Sequence, residues 1–224
     1  KNTTPMTADF FSKLNAEVRQ SCQIDSELFE QFDVKRGLRN KDGTGVLVGL
    51  TNIGEVVGYK KEDGKVIAIP GRLLYRGVDI EDITRGFQEE DRHGFDETVF
   101  LLLTGRLPKK DELNDFSNYM ASLRSLPDHF TKDMILSMKG KNVLNILARS
   151  VLGLYTLDEK PDDISLDNMV SQSLNLIAKF PTIVAYSFQA LRHLYQGKTL
   201  SIRHPQTNMT TAENFLYLIK GDCT

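Results

Sequence analysis

Tryptophan is absent from the 224 residues, and there are only two cysteines and seven prolines. Cys22 and Cys223 stand near opposite ends of the chain, so no disulfide framework is expected and a reducing compartment fits the composition. No apolar run approaches the roughly 20 residues that a membrane-spanning helix needs. The opening "KNTTPMTADF" has no apolar core behind its lysine and does not read as a secretory signal. A cytoplasmic protein without a membrane partner is expected. Charge of one sign is also missing: 28 Lys+Arg stand against 30 Asp+Glu, a net of -2. A nucleic-acid partner is therefore not expected, since phosphate binding calls for a concentrated basic surface. The short basic cluster Lys35, Arg36, Arg39 and Lys41 reads first as solvated loop charge and second as an anion site.

Chemistry-bearing motifs are equally scarce. The four histidines, His93, His129, His193 and His204, include no pair within two helical turns, so no helical metal pair exists and no metal site is expected. There is no G-x-S-x-G elbow to carry a nucleophilic serine. Gly43, Gly45 and Gly49 in "DGTGVLVG" come within one residue of a dinucleotide fingerprint. A β-like run follows them, so no helix N-terminus would face a phosphate, and a turn before a strand is the better reading.

What is present is a hydrophobic fraction of 40%, enough for a substantial core in one domain or two. Residues 8–32 read as two short helices, the first carrying Phe10, Phe11, Leu14 and Val18, the second opening after Ser26. The period then changes. "GVLVGLTNIGEVVGYKKEDGKVIAIPG" is rich in Val, Ile and Gly, and predicts a small antiparallel β element over residues 46–69 with "EDGK" as its turn.

From residue 80 to 221 the pattern is helical. "IEDITRGF" predicts a short helix ended by Gly86. "DETVFLLLTGRLP" predicts a buried helix stopped at Gly105, with the next helix opening at Pro108 and carrying Leu113, Phe116, Met120 and Leu123 on one stripe. "NVLNILARSVLGLYTLD" places Leu144, Leu147, Val151, Leu154 and Tyr155 on one face. The longest periodic run, 165–197, contains Pro181, where a kink or break is expected. Thr210 and Glu213 form a capping box before "NFLYLIKG". The fold class is mainly α, multi-helical, with a minor sheet. The junction "IPGRLLYRGVDIEDI" between sheet and helices is expected to bury the Tyr75 ring, to set the Arg76 fork of donors on carboxylates or carbonyls, and to turn at Gly77.

The order of "VKRGLRNKDGTGVLVGLTNIGEVVGY", "LLYRGVDIEDI", "ETVFLLLTGRLP", "NVLNILARSVLGLYTLD", "LNLIAKFPTIVAY" and "ENFLYLIKG" resembles citrate synthase of the bacterial type, from about Val34 to Gly221. The resemblance implies the N-terminal part of that enzyme's helical large domain, with the small domain and the C-terminal segment absent. The family is an acyltransferase that condenses acetyl-CoA with oxaloacetate and water to citrate and free CoA. It needs no covalently bound cofactor; acetyl-CoA is a substrate. Arg39 is the residue nearest to the family's CoA-binding arginine. The histidine-rich "HxxHGG"-like block, the catalytic aspartate and the substrate arginines would follow the helix ending at Gly221. No catalytic residue of the family then falls in 1–224, and this chain alone is expected to be inactive. The resemblance further implies a homodimer packed through residues 142–157 and 166–196. Two alternatives remain: a 2-methylcitrate synthase fragment, which would take a propionyl thioester, and a non-catalytic helical dimerisation module of the same fold.

Overall fold

In a computed structural model, residues 5–32, 49–63 and 65–221 are described. Arg39, the glycines Gly43 and Gly45, Val46 and Val48 of the predicted β element, and Cys223 lie outside them. The chain divides into two compact units, Phe11–Pro108 and Lys1–Phe10 with Lys109–Thr224.

Two helices occupy the start, as expected; α1, Pro5–Ser21, is longer than predicted at 17 residues, and its part from Phe11 onward belongs to the first unit. Leu14 and Val18 are buried apolar residues of this helix. A single turn, α2 (Glu27–Gln31), follows. Its first N–H donates to the Asp25 carboxylate at 3.0 Å.

The β element is present but displaced toward the C-terminus. β1 (Gly54–Glu62) and β2 (Lys65–Tyr75) form an antiparallel hairpin, and β3 (Val78–Asp79) adds two residues on the far side of β2. The ladder runs Val57 opposite Arg72, then Tyr59 opposite Ala68. Gly58 therefore faces Ile69, Pro70 and Gly71 together. Proline has no N–H for a ladder and is tolerated in strands at bulges. Pro70 and Gly71 sit in just such a bulge, which lets β2 continue six residues beyond the expected end at Ile69.

Helix α3 (Ile80–Glu89) opens where Asp79 Oδ1 accepts the Glu81 N–H at 3.0 Å. Glu81 and Asp82 in its first turn suit the helix dipole. The helix does not end at Gly86. One mid-helix glycine costs only about 1 kcal/mol, and Ile83 is buried on the same helix. Helix α4 (Phe95–Thr104) does stop at Gly105, in the left-handed conformation at φ 84°.

The second unit is helical. α5 (Lys110–Ser122) begins after Pro108, with the Lys109 N–H donating to Glu112 Oε2 at 2.8 Å. Phe116 and Met120 are buried, as its stripe predicts. A π-helical turn, Thr131–Leu136, has no counterpart in the sequence reading. α6 is Val143–Tyr155 and α7 is Leu166–Gln196, a 31-residue helix that passes through Pro181 unbroken. Ala178, Thr182 and Ile183 are buried on either side of the proline. Their packing offsets the one backbone bond that Pro181 cannot donate. α8 (Thr211–Lys220) carries the expected capping box, Thr210 N–H to Glu213 Oε2 at 2.7 Å. The core of this unit gathers Phe130, Ile135, Ile183, Tyr186, Ala190 and Leu218.

Candidate functional site

The junction at Tyr75–Gly77 is built around a cation. Arg76 has φ 50°, a left-handed value unusual for a long side chain. Its own N–H is held by the Ile53 carbonyl at 2.9 Å. The guanidinium then spreads over three segments. Nε donates to Leu102 O at 2.9 Å, Nη1 to Ser21 O at 3.1 Å and to Asn52 Oδ1 at 2.6 Å. Ser21 Oγ, a further acceptor from Arg76 at 3.4 Å, donates onward to Leu103 O at 2.8 Å. Ser21 ends α1, and Leu102 and Leu103 are in the last turn of α4. The positive charge thus sits where two helices present unpaired carbonyls and the negative ends of their dipoles. The expected carbonyl partners are found, Tyr75 is half-buried, and Gly77 takes φ 82°. A polar cleft of about 460 Å³ opens beside Arg76, with Glu17, Asn52 and Arg106 on its walls. Glu17 there accepts from Arg106 at 2.6 Å.

The same device recurs in the second unit. Arg124, 2% exposed, donates to the carbonyls of Gln206 and Met209, both at 2.7 Å, and to Thr211 Oγ1 at 3.2 Å. It ties α5 to the segment that leads into α8. Of the two arginines, only Arg76 stands in a junction that the sequence marks. Arg124 leaves no sequence signal, because its partners, two main-chain carbonyls and the Thr211 hydroxyl, lie more than 80 residues away.

The histidines do not come together. His193 lies within 2.9 Å of Lys198 O and closes the end of α7, while His129 sits in a turn at φ 63° and His204 in the segment before α8. Among the described residues no three His, Cys, Asp or Glu side chains form a group that could hold a metal ion.

A concavity of about 730 Å³ lies between α6 and the first half of α7. Leu152, Leu157, Leu176 and Tyr155 give it an apolar side, and Gln172, Asn175 and Lys179 a polar one. Lys179 donates to Asn175 Oδ1 at 2.8 Å, and desolvation holds its ammonium below the usual lysine range. Next to this cleft α6 turns an apolar stripe outward. Leu144 is 75% exposed and Leu152 72%, with Ala148 and Tyr155 on the same line. The inner face of α6 is centred on Ile146 and Ser150; Leu147 and Leu154 pack against the core while Leu144 and Tyr155 face outward, so the expected single face of Leu144, Leu147, Val151, Leu154 and Tyr155 is divided.

A mostly helical chain with a small antiparallel sheet, and with arginines bonded to main-chain carbonyls inside it, defines a mainly α class of domain. Comparison with known proteins gives the class a family. The family model described as citrate synthase, C-terminal domain, matches residues 39–224. Citrate synthase 2 of Bacillus subtilis is 31% identical over 158 residues, covering 69% of this chain and 38% of its own length. Citrate synthase of Deinococcus radiodurans is 28% identical over 152 residues, covering 68% and 37%. The crystal structure of citrate synthase from Pyrobaculum aerophilum superposes with a TM-score of 0.62 at 27% identity, over 84% of this chain and 46% of that one.

The chain belongs to the citrate synthase family. It spans less than half the length of these relatives. Among the described residues no helix is long and apolar enough to cross a membrane.

Proposed function

We propose that residues 1–224 are the N-terminal scaffold of a citrate synthase, with the reacting groups on a segment beyond them. The observation that carries this reading is the family match over 39–224 in a chain covering only 37–38% of its bacterial relatives. In the whole enzyme a carboxylate would remove a methyl proton of the acetyl thioester and hydrogen-bond donors would hold the enol. The enol carbon would attack the oxaloacetate carbonyl, and water would release citrate and CoA. This chain would supply the helical body against which that site is assembled. Arg39, outside the described residues, is our assignment for a contact with the CoA moiety. The enzyme would work in the cytoplasm, with acetyl-CoA as a substrate and no resident cofactor.

The outward stripe of α6 and the neighbouring cleft support a homodimer through residues 142–157 and 166–196. Apolar side chains as open as Leu144 and Leu152 on one line mark an interaction face.

The test is thiol release from acetyl-CoA in the presence of oxaloacetate. The 224-residue chain is expected to release none above background, and the product extended through the following segment is expected to turn over. Release by residues 1–224 alone overturns the assignment. 2-Methylcitrate synthase 1 of Corynebacterium glutamicum is also a relative, 28% identical over 159 residues. Propionyl-CoA in the same assay separates the two activities.

A further inference from the structure

The end of α8 is held more firmly than a helix end needs. The Ile219 carbonyl accepts from Gln189 Nε2 at 2.8 Å, and the Leu218 carbonyl from Arg203 Nη1 at 3.3 Å. Gln189 is a 3% exposed residue of α7. Arg203 is itself anchored, since its carbonyl accepts the Tyr186 hydroxyl at 2.6 Å. The next residue, Gly221, is buried, and its N–H returns to Tyr217 O at 2.8 Å.

Gly221 is not an ordinary helix stop. Gly105 and Gly197 end α4 and α7 in the usual left-handed way, with φ and ψ of 84° and 5°, and of 64° and 22°. Gly221 has φ 90° and ψ -161°, a region that only glycine enters freely. A Cβ there would also lie 2.8 Å from Arg203 Nη2 and 3.1 Å from Cζ and Nε. Terminating a helix requires neither the rare ψ nor a guanidinium laid against the glycine. Both do have one shared effect, which is to fix the direction of the chain as it leaves.

We propose that Gly221 and the Arg203 guanidinium form a joint that sets the direction of the chain beyond α8, with Gln189 as its support, and that the joint positions the reacting side chains of the segment that follows. The second half rests on the function proposed above. Gly221, Arg203 and Gln189 are positioning residues; none is placed in contact with substrate.

The experiment uses the product extended beyond residue 224, with Gly221→Ala and Arg203→Ala, and with Arg203→Lys as the conservative control. Steady-state kinetics and amide hydrogen exchange at residues 217–221 are read on the same samples. A misplacement on the ångström scale costs up to about 100-fold in rate. Gly221→Ala should therefore lower kcat by about 10-fold or more, with KM for both substrates within roughly threefold of wild type. Arg203→Ala should do the same more weakly, and Arg203→Lys should recover part of the loss. Exchange at Gly221 should rise at least about 10-fold in the Ala variants, while α7 amides keep their protection. A kcat within twofold of wild type in Gly221→Ala overturns the positioning role, and unchanged exchange at Gly221 overturns the joint itself. If Gly221→Ala does not fold, Arg203→Ala and Gln189→Leu are judged by the same two measurements. A wild-type product that releases no thiol overturns the enzyme reading instead, and exchange alone then decides the joint.

Discussion

Arg76 Nε donates to the carbonyl of Leu102 at 2.9 Å, across 26 residues of sequence, and so joins the end of β2 to the last turn of α4. The same side chain reaches Ser21 at the end of α1. One guanidinium therefore closes two helix ends and the 49–53 segment together.

Arg76→Ala should cost more than a surface substitution. Hydrogen bonds to a charged group contribute about 1.5–3 kcal/mol each, and surface changes stay within about 0.5 kcal/mol. Arg76 is half-buried, so we expect a loss of about 2 kcal/mol, or roughly 4–8 °C in Tm for a chain of this size. Thermal melts of the two proteins check it. A Tm within 1–2 °C of wild type, the scale of a surface change, would falsify the role given to this cation.

Asp79 gives a pH signature. Its carboxylate accepts from the Glu81 N–H and from Arg72 Nε at 3.0 Å, and these bonds hold its pKa below the ordinary 3.8. The unfolded chain binds the proton more readily, so the stabilisation is fully present above 3.8 and is lost as pH falls through the lower folded value. Asp79→Asn should melt below wild type at pH 6, and the gap should narrow below about pH 4. Parallel melts across pH 2.5–6 measure this. A gap that widens toward acid would reverse the assigned sign.

The α6 stripe predicts an association state. Leu152→Asp places a charge where a partner's apolar face is proposed to pack, and should shift the protein from dimer to monomer in sedimentation or light scattering. Leu152 is 72% exposed, so the variant should keep its helical circular dichroism. An unchanged mass for wild type and variant at micromolar concentration would remove α6 from the interface.

Legibility in the sequence followed the range of the forces involved. Features decided within one or two turns read correctly: the Gly105 stop of α4 and the Thr210–Glu213 capping box fall where the residues put them. Features decided by distant packing did not. Gly86 and Pro181 are local breaking signals that buried neighbours override. The π-helical turn at Thr131–Leu136 has no local signature. The β element was recognised by composition, but its register depends on the bulge at Pro70, which a period-two count cannot see. The Arg76 contacts were legible because a fixed charge between glycine and tyrosine is an anomaly in any strand-to-helix turn. Those of Arg124, Gln189 and Arg203 were not, because their acceptors are mostly main-chain carbonyls far off in sequence, with no residue type to read.

Helix α7, 31 residues and about 46 Å long, packs against α5, α6, the π-helical turn and α8. Each of these elements leans on one shared spar. A change in the spar therefore reaches all four elements at once, while fraying at a single helix end stays local.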